Sequence, residues 1–183
     1  MSAAMRAIVP ILFSALAISL PLMPAAEAAP QHAAKPAAKP GGPQAIGKFE
    51  DWTAATYEEG GQKICYAFTR ASNSTPAVPS RGEVVLSVTE RPTGRDAVAI
   101  SAGFAYAANA EVTVQVDQNA LNFYTAQRSA FARDGKATVA AFEKGSQAVA
   151  RSPGPRNAQV ADTFSLKGFS AAYAAIAKAC PPK

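Results

Sequence analysis

The stretch from Asp162 to Cys180, DTFSLKGFSAAYAAIAKAC, constrains the fold more than any other part of this chain. It reads as a short strand, a break at Gly168, and then a helix with Phe169, Tyr173, Ile176 and Cys180 on one face. Pro181 and Pro182 stop that helix, because proline has no N–H to donate and its ring collides with the preceding turn. The only other cysteine is Cys65, far upstream. A last helix that ends on a cysteine is placed to be stapled to the front of the domain. Two cysteines allow one intramolecular pairing, Cys65 with Cys180; free thiols and a crosslinked dimer are the alternatives.

The N-terminus has the parts of a secretory signal. Arg6 precedes an apolar run from Ala7 to Met23, and Ala26-Glu27-Ala28 offers small residues for cleavage, which places the cut after Ala28. Pro10, Pro21 and Pro24 interrupt the run and no basic stop-transfer cluster follows, so residues 1–28 read as a removed signal peptide. The expected product is exported to an oxidising compartment and has no transmembrane helix after processing. It would be periplasmic, outer-membrane-associated or secreted. Residues 29–44, APQHAAKPAAKPGGPQ, lack large apolar side chains and are expected to form a disordered tether. Residues 45–183 suit a single domain, by the usual range of roughly 100–200 residues.

Within that domain, strands are expected over 49–57, 63–69, 83–90, 97–101, 111–116 and 121–125, with weaker candidates at 148–151 and 163–166. Val112, Val114 and Val116 alternate with Thr113 and Gln115, the period of a half-buried strand. A helix is predicted from Gly135 to Lys144, stopping at Gly145. Residues 71–80 read as a long loop. Short antiparallel strands without a βαβ rhythm imply a mostly β fold: an antiparallel β-sandwich or distorted barrel with one or two short helices, including the C-terminal one.

The residue types exclude much chemistry. The single histidine, His32, lies in the tether, so the domain has no histidine for a catalytic triad, a Cys-His dyad or a histidine metal site. Paired cysteines would leave no thiolate nucleophile. No phosphate loop or dinucleotide fingerprint is present. Glu58-Glu59 and Glu50-Asp51 read as solvated charges near turns, and Ser165 with Lys167 as the approach to the last helix. Asn73-Ser74-Thr75 matches a glycosylation acceptor only by pattern. No catalytic residue, cofactor site or metal site is expected.

The formal net charge is +5, concentrated between Asn119 and Ala161 in Arg128, Arg133, Lys136, Lys144, Arg151 and Arg156. These are candidate contacts to anionic lipid or acidic glycan; nucleic acid is not an expected partner. Trp52, Tyr66, Phe68, Phe104, Tyr106, Phe123, Tyr124, Phe164 and Phe169 fall at core spacing, with Trp52 expected at the centre.

Four patches together resemble the invasion-associated locus B family of α-proteobacterial type: DWTAATYEEGGQKICY (51–66), RGEVVLSVTERP (81–92), EVTVQVD (111–117) and the tail DTFSLKGFSAAYAAIAKAC. The resemblance spans nearly the whole domain. It implies an exported accessory protein of the cell envelope, virulence-associated in some members through host-cell invasion, and not an enzyme. Many members carry a further cysteine pair that this chain lacks, so the chain resembles the branch with a single disulfide. The function expected is therefore that of a non-enzymatic envelope or secreted interaction protein whose partner is an envelope or host component. The alternative is a periplasmic small-ligand-binding or chaperone-like module with a pocket between sheets.

Overall fold

The computed structural model describes residues 42–182. The signal segment 1–28, His32 and the tether up to residue 41 lie outside the described residues. The first strand, β1 (Gln44–Phe49), begins at the last residue assigned to the tether. It is followed by β2 (Trp52–Glu59), β3 (Gln62–Arg70), β4 (Asn73–Thr75), β5 (Val85–Arg91), β6 (Gly94–Ser101), β7 (Glu111–Val116), β8 (Asn119–Ala126) and β9 (Ser129–Ala132). Helix α1 (Gly135–Lys144), β10 (Gln147–Pro153), β11 (Gln159–Ser165) and helix α2 (Phe169–Ala179) complete the domain.

The strands form one eleven-stranded sheet in the order β1-β2-β3-β5-β6-β9-β8-β7-β10-β11-β4. Every pairing is antiparallel. β4 lies at the far edge, yet only two residues separate it from β3. The sheet must therefore curl until its far edge returns to β3, giving a distorted barrel that the hydrogen-bond ladder does not close. The expected mostly β fold with a C-terminal helix is the fold observed.

α1 and α2 pack on the concave side. Along β3 the inward positions are Cys65 and Ala67, both fully buried, and β2 contributes Trp52 and Ala54. Small inward residues let α2 approach closely and seat Phe169, Ala172 and Ile176 in the core. Trp52 is fully buried, as expected; its Nε1 donates to the Ser165 carbonyl at 3.0 Å and its ring meets Phe169 edge-on at 4.8 Å. Gly168 turns the chain into α2 with φ 85°, against the Phe49 carbonyl, where a side chain would collide.

Two expectations need correction. The segment 71–80 is not loop throughout, since β4 pairs with β11. Nor do all the aromatic residues belong to the core. Trp52, Phe123, Phe164 and Phe169 are fully buried, and Phe104 lies in a second small cluster with Ala102 and Val160. Tyr66, Phe68 and Tyr124 instead stand on the outer face, Tyr124 at 45% exposure. Strand parity decides this: once Cys65 and Ala67 face α2, Tyr66 and Phe68 must face away.

Candidate functional site

Two assemblies stand out, one on each side of β3. The inner one begins at the disulfide between Cys65 and Cys180, whose Cα atoms are 5.9 Å apart. Glu90 is the direct cross-strand neighbour of Cys65 and points the same way, inward. Leu86, Val88 and Glu90 share the buried side of β5, so a carboxylate occupies a core position at 0% exposure. Its Oε2 lies 2.5 Å from Arg95 Nε, and its Oε1 accepts from the backbone N–H of Asp96 at 3.2 Å. The ladder shifts register between Thr89 and Arg91, and Asp96 takes a φ of 53°. Such an irregularity re-aims side chains, here turning Arg95 and Asp96 toward the helix.

Arg95 then donates from Nη1 to the Cys180 carbonyl at 2.5 Å, satisfying one of the carbonyls orphaned at the end of α2. The Tyr173 hydroxyl donates to Asp96 Oδ1 at 2.5 Å. Burial raises the Glu90 carboxyl to about 7, above its ordinary 4.5, while the Asp96 N–H and the Arg95 charge pull it back down. Burial also raises the Tyr173 hydroxyl, with the Asp96 hydrogen bond adding to the shift. Outside this cluster a cleft of about 390 Å³ opens between the β2–β3 turn, the β5–β6 turn and the end of α2. Lys63, Pro92, Arg95, Cys180, Pro181 and Pro182 are among its walls.

The outer assembly is a row of residues in register across six strands: Thr53, Phe68, Ser87, Ala99, Phe131 and Tyr124. Aromatic groups stand at both ends. Tyr66 stacks on Phe68 at 5.9 Å and meets Tyr57 at 5.7 Å. Tyr124 stacks on Phe131 at 5.5 Å. Arg70 lies 5.8 Å from the Phe68 ring and Arg133 lies 5.7 Å from the Tyr124 ring. Phe68 and Phe131 are three strands apart, roughly 14 Å by standard strand spacing, with small side chains between them.

The six predicted basic residues are all exposed. They are not one contiguous cluster along the chain's elements. Arg128 sits in the β8–β9 turn and donates to the Gly103 carbonyl at 2.6 Å, while Arg133, past the other end of β9, pairs with Glu111 at 2.9 Å. Lys136 and Lys144 mark opposite ends of α1, Arg151 lies within β10, and Arg156 follows it in a single 3-10 turn. Glu50 and Asp51 form the β1–β2 turn; Glu59 pairs with Arg91 at 3.4 Å. The Ser165 hydroxyl accepts the Lys167 N–H at 3.2 Å, a local turn contact leading into α2. Among the described residues no group of three or more His, Cys, Asp or Glu side chains is placed to hold a metal, and no helix is long and apolar enough to cross a membrane.

Glu90, Arg95 and Asp96 were not legible as a unit, although one signal existed. The alternation Leu86, Val88, Glu90 in RGEVVLSVTERP puts a carboxylate in phase with buried positions.

A family model described as "Invasion associated locus B (IalB) protein" matches residues 52–177. Among solved structures the chain is similar to the crystal structure of invasion associated protein b from Bartonella henselae, with 18% identity and a TM-score of 0.55, covering 73% of this chain and 95% of that one. That likeness bears on the fold. No curated protein matches the chain.

Proposed function

The chain belongs to the invasion associated locus B family, and on that premise we propose that it is an exported, non-enzymatic interaction protein that engages an envelope or host-surface partner through its outer sheet face. The observation carrying this reading is the row with Tyr66–Phe68–Arg70 at one end and Phe131–Tyr124–Arg133 at the other. Aromatic and arginine side chains are the residues that dominate binding energy at interfaces. The fold has no need of these rings inside, since the helices fill the concave side. The six exposed cations would add a salt-sensitive attraction to anionic lipid or glycan.

The test titrates labelled mature protein onto purified outer membranes and onto host cells. Phe68→Ala combined with Tyr124→Ala is expected to weaken binding at least about tenfold while the far-UV spectrum stays unchanged. Charge reversal at Arg128 and Lys136 should weaken only the component that fades with salt. Equal binding by the wild type and the aromatic double variant would reject the face. Export is checked by N-terminal sequencing of the released protein, expected to begin at Ala29.

A further inference from the structure

We propose that the cleft beside the disulfide is a binding site for a small amphipathic carboxylate, one carboxyl group with a short apolar tail, anchored by Arg95. This is independent of the outer face. The cavity, about 390 Å³, has mainly apolar walls and falls within the range of small-molecule sites, roughly 300–1,000 Å³. Pro92, Pro181 and Pro182 offer rigid surfaces that lose no rotamer freedom on contact. Among the described residues, the cations on its wall are Lys63 and Arg95, and no acidic side chain joins them there. Glu58, which faces Lys63 across the β2–β3 ladder, lies outside this wall.

Arg95 is positioned before any ligand arrives. Its Nε faces Glu90, its Nη1 holds the Cys180 carbonyl, and its side chain is 29% exposed. The hydrogen bonds among the described residues leave Nη2 unengaged. A planar guanidinium fixed on one side presents its remaining donors to a carboxylate at little further entropic cost.

The electrostatic balance favours a monoanion once Glu90 is protonated. Lys63 and Arg95 on the wall, Asp96 and Glu90 behind them and about half a negative charge at the end of α2 leave the region about half a unit negative with Glu90 ionised and about half a unit positive with Glu90 protonated. The groups facing Glu90 are Arg95 and Asp96 from β6, Tyr173 from α2, and Cys65 from β3, which is bonded and does not titrate. Arg91, the next residue on β5, turns outward to Tyr57 and Glu59. Because burial holds the Glu90 carboxyl near 7, acidification through neutrality unmasks the Arg95 charge while a ligand carboxylate stays ionised.

The experiment titrates the mature protein with octanoate, octylammonium and octanol at pH 6 and pH 8, following backbone amide shifts. Octanoate is expected to saturate, to shift the amides of Lys63, Arg95 and Cys180, and to bind about fivefold tighter at pH 6, the effect of about one unit charge at contact distance in water. Lys63→Glu, at an exposed position, changes two unit charges and should weaken octanoate by about 25-fold. Glu90→Gln should remove the pH dependence. Binding of octylammonium or octanol as tight as octanoate would overturn the proposal. So would shifts confined to other parts of the surface, or no saturation at millimolar octanoate. If Glu90→Gln does not fold, Lys63→Glu and the three-ligand comparison still decide it.

Discussion

Glu90 shows how one side chain can set the pH response of the whole domain. Its folded-state value of about 7 lies above the ordinary 4.5, so between those limits the folded protein holds a proton that the unfolded chain releases. The stabilisation this gives is fully present below about pH 4.5 and disappears as pH rises through 7. At 1.36 kcal/mol per unit, urea unfolding should show about 2–3 kcal/mol lost from this group between pH 5 and pH 8. Glu90→Gln should flatten that part of the profile, since an amide of the same shape keeps an acceptor for the Asp96 N–H without the buried charge. Parallel profiles for the two proteins would show that some other group governs the pH response.

At the scale of elements, α2 has few local reasons to persist. It spans Phe169–Ala179, short enough to be marginal alone, and its N-cap is Gly168 with no side-chain capping bond. Packing of Phe169, Ala172 and Ile176 and the bond at Cys180 hold it in place. The disulfide links residues 115 apart, which in the chain-entropy account constrains the unfolded state by about 4–5 kcal/mol. Cys180→Ser should therefore lower the melting temperature by about 10 °C or more, with hydrogen exchange in α2 accelerating before that in β7 and β8. A melting temperature within a degree or two of wild type would mean that packing alone secures the helix. This helix and α1 were legible because their apolar spacing and their stops, Pro181 and Gly145, are local signals. β7 was equally clear from its alternating valines. β1, β4 and β9 were not. Gln44–Phe49 carries two glycine and alanine positions and little alternation, and Asn73–Thr75 and Ser129–Ala132 are strands only because the sheet supplies partners. Of the candidate site, the cysteine pairing was readable. The outer row was not, because the side each aromatic takes depends on where α2 lands.

Over the whole molecule, the seam of the curled sheet is the region left unclosed by the ladder, and a buried ion pair spans it. Arg81, in the loop from β4 to β5, makes a two-pronged bond to Asp162 of β11, both contacts at 2.7 Å, with side-chain exposures of 6% and 2%. Ser74 of β4 donates to the same carboxylate at 2.7 Å, and Arg81 Nε donates to the Ala102 carbonyl at 2.6 Å. The guanidinium also lies 4.8 Å from the Phe104 ring. One residue thus ties the end of β6, the far edge strand and its neighbour together, while the disulfide ties α2 to β3. Asp162→Ala would leave Arg81 buried and unpaired and should cost about 3–5 kcal/mol. Replacing both partners, Arg81→Met with Asp162→Leu, removes the stranded charge and should recover most of that loss. Urea unfolding of the two single variants and the double variant measures the coupling directly. Additive losses would show that the pair does not act as a unit across the seam, and that β4–β11 pairing holds the far edge in place without it.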